Sequence, residues 1–97
     1  MSKRDVVIDV TADDITNGKR ESDECPIALA THRAFPDAEG VEVDEISIDV
    51  WKDGKIVFEA LIGEDGEEFV RKFDNYEPVK PIRLSLEFNI VEEPPCW

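Results

Sequence analysis

The sequence is short of the residues on which most catalytic and metal sites depend. Its 97 residues include one histidine, His32, and two cysteines, Cys25 and Cys96, which lie far apart in the chain. This set excludes paired-cysteine zinc or redox spacing and a disulfide scaffold. On a helix, His32 and Cys25 would be about 10.5 Å apart along the axis, too far for the histidine to activate the thiol. We therefore expect no catalytic residues, no metal site, no cofactor and no enzyme activity. Two free thiols are favoured, and a single Cys25–Cys96 bridge stays open.

Positively charged residues are also scarce. There are 11 Lys and Arg against 24 Asp and Glu, and the formal net charge is −13. Proteins bind phosphate backbones and anionic membranes largely through Lys and Arg, so direct binding to either is disfavoured. A basic protein surface is the partner that this charge favours.

Long hydrophobic runs are also missing. No segment approaches the roughly 18 apolar residues that a membrane-spanning helix needs. The apolar run at residues 6–8 is followed by Asp9 and is too short for the core of a signal peptide. We therefore expect a cytoplasmic protein.

The apolar residues that are present are spaced with the periods of strands and helices. Residues 5–10 and 82–90 alternate apolar and polar side chains, which predicts strands. Pro26 and Pro36 bracket a helix rich in small residues. The Asp-Gly pair within residues 51–55 predicts a tight hairpin. Residues 67–76 form a second helical pattern, with Asp65 and Glu68 spaced as a capping box and Phe69, Phe73 and Tyr76 on its apolar side.

Two further segments carry local signals. Thr11 and Asp14 are spaced as a capping box that opens a short helical turn, which Gly18 would end in a left-handed conformation. The alternation between Val41 and Val50 changes phase at Asp44, which predicts a bulge within one strand.

The resulting order is β-α-β-β-α-β. It predicts an α+β fold of one small domain over residues 1–91, with an extended tail at 92–97. The arrangement expected is ferredoxin-like, a four-stranded antiparallel sheet with two helices on one face and the first and last strands central. The alternative is another α+β sandwich, in which the turn at 11–18 reroutes the chain.

The acidic residues concentrate in the middle of the chain. Residues 37–68 hold twelve acidic side chains and two basic ones. Carboxylates two residues apart on one strand face are about 6 to 7 Å from each other, close to the phosphate spacing of nucleic acids. Partner binding is therefore assigned to the acids of the central hairpin and to Trp51 as an aromatic anchor. The acids are Glu42, Asp44, Glu45, Asp49 and Asp53. The alternative is that these charges only keep the protein soluble.

Three stretches of the chain resemble a known group of proteins. They are ADDITNG at 12–18, CPIALA at 25–30 followed by Arg33, and FDNYEPVKP at 73–81. Together they are similar to short uncharacterised proteins encoded by bacteriophages and by bacteria such as actinobacteria. The resemblance spans most of the chain and brings no catalytic chemistry. It implies a phage accessory role in the host cytoplasm, including inhibition of a host nuclease or defence complex.

Two functional classes follow from these observations. The first is a non-enzymatic accessory protein whose acidic face binds a basic surface, in the manner of a DNA mimic, and inhibits a nucleic-acid-binding protein. The second is a structural or assembly protein that acts by self-association, for example as a homodimer through an exposed strand edge.

Overall fold

Five strands and three helices make up the fold in a computed structural model, which describes residues 3–91. In chain order they are β1 (Lys3–Val10), α1 (Ala12–Asn17), α2 (Pro26–Ala34), β2 (Gly40–Val43), β3 (Ser47–Lys52), β4 (Lys55–Leu61), α3 (Gly63–Asp74) and β5 (Ile82–Ile90). The predicted tail at 92–97, with Cys96, lies outside the described residues.

All five strands form one antiparallel sheet in the order β1-β5-β4-β3-β2. Helix α2 packs against both β1 and β2, which are the two edges of this sheet. The sheet therefore curves around α2, and one of its faces is buried against the helices. The opposite face, which we call the open face, carries the outward side chains.

The ferredoxin-like prediction is wrong. Residues 3–91 form five strands and three helices, whereas four strands and two helices were expected. The first strand lies at an edge of the sheet instead of its centre. A small α+β domain with an antiparallel sheet is the part of the prediction that holds.

The extra strand arises at Asp44, where the predicted bulge is a chain reversal. Asp44 Oδ1 accepts hydrogen bonds from the backbone N–H groups of Ile46 at 2.8 Å and Ser47 at 2.7 Å. A short aspartate side chain that bonds to the backbone just after it stabilises a turn. Residues 41–50 therefore form two paired strands, β2 and β3, with Val41 opposite Val50.

The extra helix, α1, is a six-residue segment held by its cap and by α2. The Thr11 and Asp14 capping box is formed as predicted. Arg33 on α2 donates two hydrogen bonds to the Asp14 carboxylate, at 3.0 and 2.8 Å, and a third to the Asp9 carbonyl oxygen at 2.8 Å. Arg33 therefore ties α1 and the end of β1 to α2.

Gly18 is needed for space and not for a left-handed conformation. Its φ is −69°, which any residue adopts, so the predicted left-handed cap is wrong. A Cβ at this position would lie 2.7 Å from both the Asp14 carbonyl oxygen and Pro26 Cδ. The ADDITNG and CPIALA stretches thus meet at a close approach of α1 and α2.

The remaining predicted elements lie close to their expected places. α2, the Asp-Gly hairpin and β5 are confirmed, and Asp53 and Gly54 have φ values of +54° and +76°. α3 begins earlier than predicted, at Gly63, and the Asp65 box does not cap it. Tyr76, expected on the apolar side of this helix, is 77% exposed and lies under the Arg20 guanidinium.

One buried cluster joins all these elements. Phe35, which follows α2, lies between Phe58 of β4 and Phe88 of β5, with ring centres 4.9 and 5.0 Å away. Alternate residues of β5, including Leu84 and Leu86, fill the same core. Within residues 3–91, none of the helices has the length and apolar character to cross a membrane.

Candidate functional site

Three carboxylates form a row across neighbouring strands on the open face. Glu42 of β2 lies directly opposite Asp49 of β3, and Asp49 lies directly opposite Glu59 of β4. Directly opposite residues in an antiparallel sheet have Cβ atoms about 4.5 to 5.5 Å apart. We call Glu42, Asp49 and Glu59 the acidic row.

The row concentrates negative charge on its middle member. Partial burial raises the pKa of Asp49, and the charges of Asp44, Glu59 and Glu42 raise it further. Like charges directly opposite each other destabilise a sheet. The arrangement therefore opposes folding and strengthens attraction for a cation that approaches this face.

The structure brings together only part of the set that the sequence assigned to partner binding. Glu42 and Asp49 lie side by side in the row. Asp44 lies in the adjoining turn, where its two oxygens already accept bonds from Ile46 and Ser47, including Ser47 Oγ at 3.0 Å. These bonds, that of Ile46 first, lower the pKa of Asp44. Asp44 adds negative charge beside the row while its oxygens serve the turn.

Glu45, Asp53 and Trp51 lie at other places. Glu45 is exposed in the turn after β2 and lines a cavity of about 260 Å³ with residues of α3. Asp53 is at the hairpin tip, where its N–H donates to Glu39 Oε1 at 2.6 Å. Trp51 is half-buried on β3, and its indole nitrogen is buried without a hydrogen-bond partner among the described residues. None of these three is a member of the row.

Glu59 is the member that the sequence reasoning missed. A register shift between β3 and β4 at Val50 and Trp51 lets Asp49 face Glu59. Without that shift, the hairpin would place Asp49 opposite Phe58. The signal in the sequence was the run Ile56-Val57-Phe58, three adjacent apolar residues that interrupt the alternation of β4.

The rest of the open face carries less net charge. Lys3 Nζ lies 2.8 Å from Glu87 Oε1, and Arg83 Nε lies 2.7 Å from Asp9 Oδ1. These pairs sit on β1 and β5, where Asp5, directly opposite Glu87, lies outside them. Most of the excess negative charge of the open face therefore belongs to β2, β3 and β4.

Within residues 3–91, the residues considered for other chemistry do not assemble into a site. Cys25 begins α2 in the core, and burial raises the pKa of its thiol, which disfavours the reactive thiolate. His32 is exposed on the same helix. Carboxylates of Glu21, Asp23 and Glu24 lie within 4.8 Å of one another in the loop before α2, and a hydrogen bond with Glu24, together with its charge, raises the pKa of Glu21. Such exposed acidic groups are common without an ion.

Comparison with known proteins adds no family to this geometry: no family model, no curated protein and no solved structure matches the chain.

Proposed function

We propose that this protein is a non-enzymatic accessory protein that binds a basic surface of another macromolecule through its open face. The partner class is a nucleic-acid-binding protein of the host or of the virus, whose groove the acidic row occupies in place of phosphates. The phage accessory role implied by the sequence resemblance belongs to the same proposal.

The observation that carries the proposal is the acidic row itself. Three carboxylates stand on adjacent strands, which the sheet spaces at about 5 Å, and none of the ion pairs found within residues 3–91 includes them. Like charges on directly opposite residues repel each other, at a cost to the stability of the sheet. A basic groove would relieve that repulsion, and electrostatic attraction would speed the encounter.

Self-association through β1 is the second candidate, and the structure favours it less. β1 is an edge strand, and Val7 at its centre is 51% exposed. However, Arg33 already occupies the outward carbonyl oxygen of Asp9. In the symmetric register centred on Val7, Asp5 of each copy would face Asp9 of the other, a like-charge arrangement that opposes pairing.

The test compares two triple variants with the same change in net charge. E42Q/D49N/E59Q neutralises the acidic row, and D23N/D37N/E77Q removes three exposed acids from loops elsewhere. Each variant and the wild type is immobilised and exposed to host lysate at low and at moderate salt.

We expect wild type and the loop variant to retain the same nucleic-acid-binding protein and to release it at moderate salt, whereas the row variant does not retain it. Equal retention by both variants would contradict the assignment to the row. If no other protein is retained and this protein sediments as a dimer at micromolar concentration, self-association would be favoured.

A further inference from the structure

The sheet divides between β4 and β5. These strands pair only where Phe58 faces Ile90 and Glu59 faces Asn89. Beyond that point β5 stays paired with β1 as far as Ile82, while β4 ends at Leu61 and leads into α3. The segment 82–88 of β5 therefore has a strand on one side only, although β5 is an interior strand of the sheet.

The free side of this segment can be assigned from the hydrogen bonds that are made. Val91 N–H donates to Val57 O at 2.9 Å, directly across the β4–β5 ladder. Backbone groups alternate in direction along a strand, so every second residue from Val91 directs its N–H and C=O toward β4. Glu87, Ser85 and Arg83 have this direction. No strand or side chain of residues 3–91 hydrogen-bonds to these outward groups.

A groove runs along this free edge. Its volume is about 480 Å³, and five consecutive residues of β5, 83–87, line one wall. Leu84 and Leu86 belong to that wall although their side chains are buried in the core, so the lining is the backbone edge of the strand. The facing wall includes Leu61, which is 72% exposed, with Gly63, Glu64 and Asp65. We call this feature the edge groove.

The charges around the edge groove favour a cationic occupant. Lys3 and Glu87 neutralise each other, and Arg83 is paired with Asp9. Glu64 and Asp65 are exposed and have no ion pair within the part of the chain described. The acidic row also ends at the groove, because Glu59 faces Asn89, which lines it.

We propose that the edge groove takes an extended segment of the partner protein that carries lysine or arginine at alternate positions and adds to β5 as a strand. The proposal rests on the function above and specifies how the partner binds. Main-chain hydrogen bonds to Arg83, Ser85 and Glu87 hold the segment, as in other complexes formed by strand addition. Arg83, Ser85 and Glu87 carry their side chains on the open face. The segment residues that hydrogen-bond to them carry their side chains on the same face, which places the basic side chains of the segment beside Glu59.

The test uses the peptide acetyl-Lys-Val-Lys-Val-Lys-Val-Lys-amide as the probe, titrated into the ¹⁵N-labelled wild-type protein. We expect the amide signals of Ser85 and Glu87 to shift and their hydrogen exchange to slow. A peptide methylated on the lysine backbone nitrogens should lose binding, because those N–H groups face β5 in this geometry. The matched peptide, methylated on the valine nitrogens, should keep it.

A pair of variants tests the same edge from the protein side. Ser85 and Val7 are directly opposite each other on β5 and β1, and their N–H groups point away from each other. Proline at either position removes a donor without removing a β1–β5 hydrogen bond. We expect S85P to weaken peptide binding at least about fivefold and V7P to leave it unchanged. If S85P does not fold, the two methylated peptides decide the question on the wild-type protein.

Other outcomes would overturn the inference in distinguishable ways. Shifts confined to Glu42, Asp49 and Glu59, with equal binding of both methylated peptides, would keep the acidic row as the site and reject the groove. If no signal shifts, the groove does not bind basic segments. The proposed function is then still tested by the row variant and the loop variant described above. Shifts of Ser85 that grow with protein concentration and need no peptide would assign the groove to a second copy.

Discussion

Replacing Asp49 with asparagine removes the middle charge of the acidic row and is expected to stabilise the domain. Asp49 faces Glu42 on one side and Glu59 on the other. With carboxylates about 6 Å apart, each pair costs about 0.7 kcal/mol in water, and 0.1 M salt roughly halves this. The two pairs together predict that D49N raises the free energy of unfolding by about 0.5 to 1 kcal/mol at pH 7.

The sign of the pH dependence follows from the raised pKa of Asp49. The folded state holds the Asp49 proton more tightly than the unfolded state, so the wild-type protein loses stability as the pH rises from the ordinary value of 3.8 through the raised one. The advantage of D49N is therefore fully present at neutral pH and vanishes below pH 3.8. It also shrinks in 1 M salt, where screening is nearly complete.

Urea denaturation followed by circular dichroism measures this difference. The control is D37N, which makes the same chemical change at an exposed acid in the loop after α2. A gain for D49N that does not exceed the gain for D37N would refute the reasoning, since general charge reduction would then explain it. A loss of stability in D49N at pH 7 would refute it more directly.

Three further predictions concern the residues that hold the fold. R33A should lower the free energy of unfolding by about 2 kcal/mol, measured by urea denaturation, because it leaves the buried carboxylate of Asp14 without its cation. G18A should lower the thermal unfolding midpoint, because the added Cβ meets backbone and proline atoms at 2.7 Å, whereas G40A, with nothing within 4 Å, should not. Hydrogen bonds lower the pKa of Asp44, so its contribution is present above 3.8 and is lost as the pH falls. The stability difference between wild type and D44A, measured at a series of pH values, should therefore shrink below that pH, and a constant difference would contradict this.

Local signals predicted much of the secondary structure. The alternation of β5, the proline that opens α2 and the Asp-Gly pair of the hairpin each act within a few residues, so they can be recognised without the rest of the chain. The fold prediction failed at Asp44, where the change of phase in the apolar alternation is compatible with a bulge or with a turn. The turn prevails because the Asp44 side chain accepts three hydrogen bonds from Ile46 and Ser47.

The candidate site was harder to predict because it depends on pairing between strands. Glu42 and Asp49 were assigned because acidic residues are concentrated in this part of the sequence. Predicting that they lie directly opposite each other would have required knowing that β2 and β3 form a hairpin. Glu59 required the register shift beside Trp51. The edge groove had no sequence signal, because the separation of β4 from β5 is a property of the folded sheet.

The stability experiment on D49N and the lysate experiment on the row variant E42Q/D49N/E59Q together separate a functional charge from a solubility charge. A residue retained at a cost to stability and needed for binding follows the usual trade-off between stability and function. If D49N is more stable than the wild type and the row variant loses the partner, the row is maintained for binding. If D49N is more stable and the row variant still binds the partner, the row is a charged surface whose repulsion the fold tolerates, and the edge groove becomes the place to look for partner recognition. The peptide titration on the wild-type protein then tests the groove directly.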